Sequence, residues 1–364
     1  MTETIALKHK DFLAAEKDPE RAASVINLIY ITDSAPGIQR VRKGKGFSYI
    51  FEEKPLHDKA EVERIKKLRI PPAWQNVWIS PVENSHLQAT GNDTKNRKQY
   101  LYHALWNKLR NETKYHHLYE FGKYLPRIRL QIEKDLQLKD LCKEKVLATV
   151  LSLMERTYIR VGNNDYERLY GSYGITTLKD KHVNINGSKL LFSFKGKKGV
   201  HHDISLVNKK LARTVKQCRD IPGKELFQYY DENGKRQSID SGMVNQYIKD
   251  AAGRSFTAKD FRTWAGTLHA LHEFASIGDA INETQAKKNV VEVLNKVSEK
   301  LGNTRTVCRK YYVHPALIEM YHDKKLSAYL KDINEIEKPD DISGLTEEEC
   351  LLMRILKDVI HSKK

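Results

Sequence analysis

The sequence predicts an α+β protein of two parts: a small β-rich N-terminal domain, then a larger, mainly α-helical domain that contains a short β-hairpin region. Three observations carry this. Short β-like runs broken by turn-forming pieces fill the first hundred residues, helical spacing of apolar residues begins near residue 104, and an Asn-Gly hairpin signal interrupts the helices near residue 186. The expected division is residues 1–107 and 108–364.

In the first part, Asn27-Leu-Ile-Tyr-Ile-Thr32 and Phe47-Ser-Tyr-Ile-Phe51 read as strands, with the basic run Arg40-Val-Arg-Lys-Gly-Lys-Gly46 between them as a turn-forming piece. Ile70-Pro-Pro-Ala-Trp74 breaks any helix, and Asn76-Val-Trp-Ile-Ser80 is another strand candidate. Cations and aromatics then interleave through Gly91-Asn-Asp-Thr-Lys-Asn-Arg-Lys-Gln-Tyr-Leu-Tyr102, which predicts a basic, aromatic face. Further on, Val146, Leu147, Val150, Leu151 and Met154 recur at helical spacing, and Gly162 is a candidate cap beyond Arg160. His182-Val-Asn-Ile185, Asn186-Gly187 and Leu190-Leu-Phe-Ser-Phe194 make the hairpin. A second turn, Gly196-Lys-Lys-Gly199, leads into Val200–Leu206 and leaves Lys197 exposed. Thr257 and Asp260 form a capping box for a helix through about Ala275, which sets Arg262 near its electropositive end. Val290, Val291, Leu294, Val297 and Leu301 stripe the next helix, which Gly302 ends.

Composition narrows the function. Charged residues at 30% and hydrophobic residues at 40% describe a soluble globular chain, and no apolar run has the length of about 18 residues that a membrane span needs. The opening residues lack the pattern of a secretory leader, so a cytoplasmic protein is expected. A formal net charge of +16 favours a polyanionic partner, most often nucleic acid, over scattered solubilising lysines. The cysteines Cys142, Cys218, Cys308 and Cys350 are too dispersed for zinc or a disulfide framework, and no phosphate-binding loop is present. No cofactor and no metal is expected.

Cations and tyrosines dominate the candidate chemistry, while paired carboxylates are missing. Phosphoryl transfer without a metal needs an oxygen nucleophile, fixed positive donors and an acid for the leaving alkoxide. Tyrosine, arginine and lysine supply these in turn, since the arginine fork matches two phosphate oxygens.

Four motifs carry a resemblance. Arg160 in Tyr-Ile-Arg-Val-Gly-Asn, Lys197 in Phe-Lys-Gly-Lys-Lys-Gly-Val-His-His, Arg262 in Lys-Asp-Phe-Arg-Thr-Trp-Ala-Gly and Tyr312 in Arg-Lys-Tyr-Tyr-Val-His-Pro follow the order of the type IB DNA topoisomerases. The sequence most resembles the bacterial and poxvirus-like branch, and Gly91–Tyr102 looks like that branch's N-terminal DNA-contacting motif.

The resemblance implies that Tyr312 attacks the scissile phosphate and holds the 3′ end. Arg160 and Arg262 would clamp the nonbridging oxygens, and Lys197 would protonate the leaving 5′ oxygen. Asn303 stands where poxvirus-type enzymes have histidine, nine residues before the nucleophile, and would donate a neutral hydrogen bond. Lys95, Arg97 and Lys98 would contact phosphates, while Gln99, Tyr100 and Tyr102 would approach base edges in the major groove. Duplex DNA is the implied partner, bound by a monomer in a C-shaped clamp, in the cytoplasm at the nucleoid. Lys195 and Lys198 remain rivals to Lys197, and Tyr311 to Tyr312. A tyrosine recombinase and a non-catalytic DNA clamp remain alternative functions, although Lys259-Asp-Phe-Arg262 lacks the His-x-x-Arg pattern usual in recombinases.

Overall fold

The computed structural model describes residues 7–330 and 344–362 of the 364-residue chain. Contacts between residues divide it into two units, the first ending at His117 and the second running from Leu118 to His361.

The first unit opens with two helices that the strand-rich reading does not anticipate, α1 (His9–Lys17) and α2 (Pro19–Ser24). Asp18 caps α2, its carboxylate accepting from the Glu20 and Arg21 amides, and Pro19 supplies the preset first helical residue. The sheet follows: β1 (Ile38–Lys43), β2 (Gly46–Phe51), β3 (Lys54–Pro55), then α3 (Lys59–Lys67), β4 (Gln75–Ile79), β5 (Leu87–Asn92) and β6 (Lys98–Tyr102). The strands lie in the order β3-β2-β1-β4-β5-β6, every pair antiparallel. Ile38, Val77, Ile79 and Ala89 from the sheet and Ile65 from α3 form one small core; Phe12, Ala23, Leu28, Trp106 and Leu109 form another.

Two local expectations need correction here. The basic run after Arg40 is largely strand β1, with the two residues Gly44 (φ 56°) and Lys45 turning it into β2. A cationic strand is stable because Arg40 lies over the Phe47 ring at 4.2 Å and donates to the Pro71 and Trp74 carbonyls. Conversely, Asn27–Thr32 makes a single bridge, Ile29 to Ser85, and no ladder. The imidazole of His86 takes the place of a strand partner, accepting from the Ile31 amide and stacking on Tyr30 at 4.3 Å.

Helix α4 (Ala104–Leu136) precedes the helical unit proper. There follow α5 (Lys143–Thr157), α6 (Asn164–Tyr170), the antiparallel three-stranded sheet β7 (Val183–Asn186), β8 (Lys189–Lys195) and β9 (His201–Val207), and α7 (Lys209–Arg219). A two-stranded ribbon, β10 (Gln228–Tyr230) and β11 (Arg236–Ser238), leads to α8 (Ser241–Ala252), α9 (Ala258–Ile277), α10 (Glu283–Leu301), α11 (Arg305–Tyr311), α12 (Pro315–His322), α13 (Ser327–Leu330) and α14 (Glu347–Ser362). One continuous apolar core, with α5 and α9 buried along most of their lengths, joins these helices to the inner face of the β7–β9 sheet. Among the described residues no helix is long and apolar enough to cross a membrane.

A polar cluster ties α14 into that core. Arg129 forms ion pairs with Glu155 at 2.6 Å and Glu349 at 2.8 Å, and Glu349 also accepts from the Trp264 indole at 2.9 Å. Burial pushes the Glu349 carboxyl up, but Arg129, the Thr346 amide and the indole together pull it below its ordinary value. Trp264 lies two residues from Arg262, so α14 braces the helix that carries it.

Candidate active site

Arg160 is positioned by the end of α5. That helix stops at Tyr158, which adopts the left-handed conformation (φ 58°), and not at a cap made by Gly162. The chain then runs extended, and the Arg160 carbonyl accepts from the Ile175 amide at 2.8 Å. Gly174 permits this contact, since a Cβ there would lie 2.5 Å from the backbone of Gly162. The Arg160 guanidinium donates to the Gly302 carbonyl at 2.8 Å and to Asn303 Oδ1.

Arg262 sits at the start of the second turn of α9, just after the point where Asp260 accepts from the Thr257 amide and hydroxyl at 2.8 and 2.9 Å and closes the expected capping box. Its side chain is 5% exposed and donates to the carbonyls of Tyr158 and Leu301. Both acceptors are free because they end helices, Tyr158 capping α5 and Leu301 closing α10 before Gly302 (φ 59°). Thus three helix ends converge on two guanidiniums, and the oxygens that hold them, Gly302 and Asn303 for Arg160, Tyr158 and Leu301 for Arg262, are all neutral. Burial and the nearby Arg262 charge push Arg160 down to about 10, which leaves it charged at neutral pH, and burial lowers Arg262 as well.

Tyr312 follows α11. Its backbone amide donates to Cys308 at 2.9 Å and its carbonyl accepts from the Thr267 hydroxyl at 3.2 Å. Gly266 lets α9 come this close: a Cβ there would meet the Tyr312 carbonyl at 2.6 Å and the Tyr312 Cβ at 3.0 Å. The Arg262 guanidinium carbon lies 5.3 Å from the centre of the Tyr312 ring. Tyr312 is half-buried against the core, whereas neighbouring Tyr311 is 37% exposed and has Lys310 over its ring.

Asn303 completes the group. A guanidinium can only donate, so the amide oxygen must face Arg160 and the Nδ2 donors must point elsewhere. Nδ2 is buried without a protein acceptor, and so is Arg262 Nε. A buried donor left unpaired costs about 1–3 kcal/mol, so two of them in one cluster of cations mark a place that an anion would satisfy.

The structure therefore brings together Arg160, Arg262, Asn303 and Tyr312. Lys197 stands apart from them, exposed on the turn between β8 and β9, with its ammonium 5.5 Å from the centre of the Tyr166 ring. The six N-terminal candidates lie in or beside β6, in the other unit. Lys98 pairs with Asp33 at 2.6 Å and Arg97 with Asp93 at 2.6 Å, while Gln99 donates to Asp93 at 3.0 Å. Strand alternation puts Lys98, Tyr100 and Tyr102 on one face and Gln99 on the other. Tyr100 and Tyr102 stack at 5.9 Å, and Tyr100 is 48% exposed. No group of three or more His, Cys, Asp or Glu side chains with metal-binding geometry occurs among the described residues.

One residue in the site carries no sequence-based assignment. His202 lies between Gly196 and Gly302, and burial together with Arg160 and Arg262 lowers its pKa. The available signal was period two: on β9, His202, Ile204 and Leu206 share the less exposed face, so His202 is the polar member of an inward row.

Residues 97–339 match the family described as eukaryotic DNA topoisomerase I, catalytic core, and residues 46–93 match the bacterial DNA topoisomerase IB N-terminal domain. The DNA topoisomerase 1B of Acanthamoeba polyphaga mimivirus is 33% identical over 295 residues, covering 79% of this chain and 88% of the viral one. The DNA topoisomerase 1B of vaccinia virus (strain Copenhagen) is 23% identical over 276 residues, covering 73% and 84%. The DNA topoisomerase 1 of rabbit fibroma virus is 22% identical over 315 residues, covering 80% and 94%. With the catalytic-core family spanning two thirds of its length, the chain belongs to the type IB DNA topoisomerases.

Proposed function

We propose that this enzyme relaxes supercoiled duplex DNA by cutting and resealing one strand through a 3′-phosphotyrosyl bond, with neither ATP nor a metal ion. The Tyr312 hydroxyl gives up its proton to solvent as its oxygen attacks the scissile phosphorus, and the bond to the 5′ oxygen breaks. Lys197 gives that oxygen its proton. Arg160, Arg262 and Asn303 donate to the nonbridging oxygens, where charge builds in the transition state. The freed end rotates, and reversal of the attack reseals the strand. Relaxation is downhill, so no nucleotide is consumed.

Residues 1–107 act as the DNA-binding domain and 108–364 as the catalytic one, closing around the duplex as a C-shaped clamp. Lys95, Arg97 and Lys98 contact phosphates, and Gln99, Tyr100 and Tyr102 approach base edges. The enzyme works as a monomer, in the cytoplasm at the nucleoid. The observation that carries the reading is the pair of unsatisfied buried donors, Arg262 Nε and Asn303 Nδ2, in a cluster of cations beside Tyr312.

The test is relaxation of supercoiled plasmid in EDTA without ATP, beside the Tyr312→Phe variant, with detergent-trapped DNA examined for protein on its 3′ end. Wild-type relaxation with a 3′ adduct, both lost in Tyr312→Phe, is the expected result. Binding without adduct would leave a clamp without chemistry. Adduct formation by Tyr312→Phe would transfer the role to Tyr311.

A further inference from the structure

The imidazole of His202 occupies a space defined by two glycines from different parts of the site. A Cβ on Gly196 would lie 2.6 Å from His202 Cδ2 and Nε2, and a Cβ on Gly302 would lie 2.3 Å from His202 Cε1. Both positions must therefore lack a side chain for the ring to sit where it does. Gly196 directly precedes Lys197, and Gly302 directly precedes Asn303. Gly302 also offers its carbonyl to Arg160. Behind the ring, Phe194 stacks on it at 5.2 Å and 25°, as its cross-strand partner in β8. The ring thus touches the two backbone segments that bear the lysine and the asparagine, and is backed by the core.

We infer that His202 is a positioning residue: its ring braces the Lys197 turn against the Gly302–Asn303 segment and so sets the lysine's reach toward the leaving 5′ oxygen. This rests on the assignment of Lys197 as the acid. The backbone hydrogen bonds from the Gly196 amide to the Val200 carbonyl at 2.7 Å and from the Gly199 amide to the Gly196 carbonyl at 3.1 Å lie within the turn itself, and the Tyr173 amide holds its base through the Lys195 carbonyl at 2.8 Å. Lys198 takes the left-handed conformation (φ 62°), and Lys197, Lys198 and Gly199 are all exposed. An acid misplaced by an ångström loses much of its effect. The imidazole contributes its flat shape here, and its lowered pKa keeps it from adding a third charge beside Arg160 and Arg262 at neutral pH.

The experiment compares two duplex substrates in single-turnover cleavage, one with an ordinary scissile phosphodiester and one whose bridging 5′ oxygen is replaced by sulfur. In both, the Tyr312–phosphorus bond forms and the bridging bond breaks. The oxygen leaves only with a proton, whereas a thiolate leaves without one because thiols ionise near pH 8.5. A defect in acid placement is therefore selectively rescued by sulfur. His202→Ala is expected to slow the oxygen substrate about 100-fold but the sulfur substrate by no more than roughly threefold. Lys197→Ala should show the same selective rescue.

Gly196→Ala adds a methyl against the ring at a position (φ −89°) that accepts any residue, and should reproduce the selective defect. His202→Phe keeps a flat ring between the glycines and should cleave both substrates at close to the wild-type rate. This variant and Gly196→Ala decide the matter if His202→Ala does not fold, judged by its circular dichroism. Equal slowing of both substrates by His202→Ala and Gly196→Ala, or no slowing by either, would overturn the inference while leaving Lys197 as the acid. A His202→Phe enzyme as impaired as His202→Ala would overturn it too, placing the role on a ring nitrogen. Lys197→Ala without sulfur rescue would remove Lys197 as the acid, and the inference with it.

Discussion

The two cationic regions of this protein are held in opposite ways. In the catalytic unit, half-buried Arg160 and buried Arg262 are fixed by an amide oxygen and by carbonyls at the ends of α5 and α10. At β6, Arg97 and Lys98 are about half exposed and fixed by the carboxylates of Asp93 and Asp33. A carbonyl orients a guanidinium without cancelling its charge, so this pair keeps its attraction for a phosphate. A carboxylate orients and neutralises together, so a phosphate arriving at β6 would have to displace the carboxylate already held by each cation. The first arrangement suits charge developing in a transition state; the second suits reversible, salt-dependent docking.

The largest effect expected from this contrast is on chemistry. Arg262→Ala should slow cleavage on the order of 100- to 1,000-fold in single-turnover assays while leaving DNA affinity nearly intact. Arg262→Lys should not restore the rate, because an ammonium cannot reach both the Tyr158 and Leu301 carbonyls in fork geometry. A weakened affinity with unchanged cleavage would erase the distinction between the two regions.

Next comes stability. Removing the Glu349 carboxylate in Glu349→Ala leaves Arg129 buried with one carboxylate instead of two, and should cost about 3 kcal/mol in denaturant unfolding. The sign with pH follows from the lowered Glu349 pKa: its contribution is present above the ordinary carboxylate range and is lost as pH falls through the depressed folded value. The acid limb of a stability–pH profile should therefore flatten in the variant. At the surface pair Arg97–Asp93, Asp93→Asn should change stability little.

A smaller effect concerns His202. Its pKa is lowered by burial and by Arg160, Arg262 and His201, with Asp203 opposing, so the unfolded chain binds the proton first. Stability should then fall as pH drops through about 6.5, the unfolded value, and level off below the folded one. Wild type should lose more melting temperature than His202→Phe between pH 7.5 and 5.5; parallel losses would place the titration elsewhere.

The smallest effect separates the regions by salt. Lys98→Ala should lower the slope of log affinity against log salt by about one, uniformly across DNA sequences. Asp33→Asn, which frees the same ammonium, should strengthen binding. No change in either variant would remove Lys98 from the DNA-facing set.

Much of this was readable from the chain itself. The capping box at Thr257, the Gly302 stop, the exposed Lys197 turn and the β7–β8 hairpin are local, set by backbone propensity and by period, so sequence alone specifies them. Strand β1 was harder, because its cations are balanced by a ring and carbonyls distant in sequence. Local signals also missed Tyr158, since a non-glycine left-handed cap leaves little trace in composition.

The order and identity of Arg160, Lys197, Arg262, Asn303 and Tyr312 were thus determined by the sequence, along with the helices and turns that bear them. Tertiary structure alone decided what these groups touch. It set Arg262 on two carbonyls, turned the Asn303 amide oxygen toward Arg160, left Lys197 beside Tyr166, and put His202 between two glycines. The physical reason is reach. Propensity and period act over a few residues, whereas Arg160 meets Asn303 across 143 positions and Arg262 meets Tyr158 across 104, contacts that exist only once helix ends from separate parts of the chain have packed together.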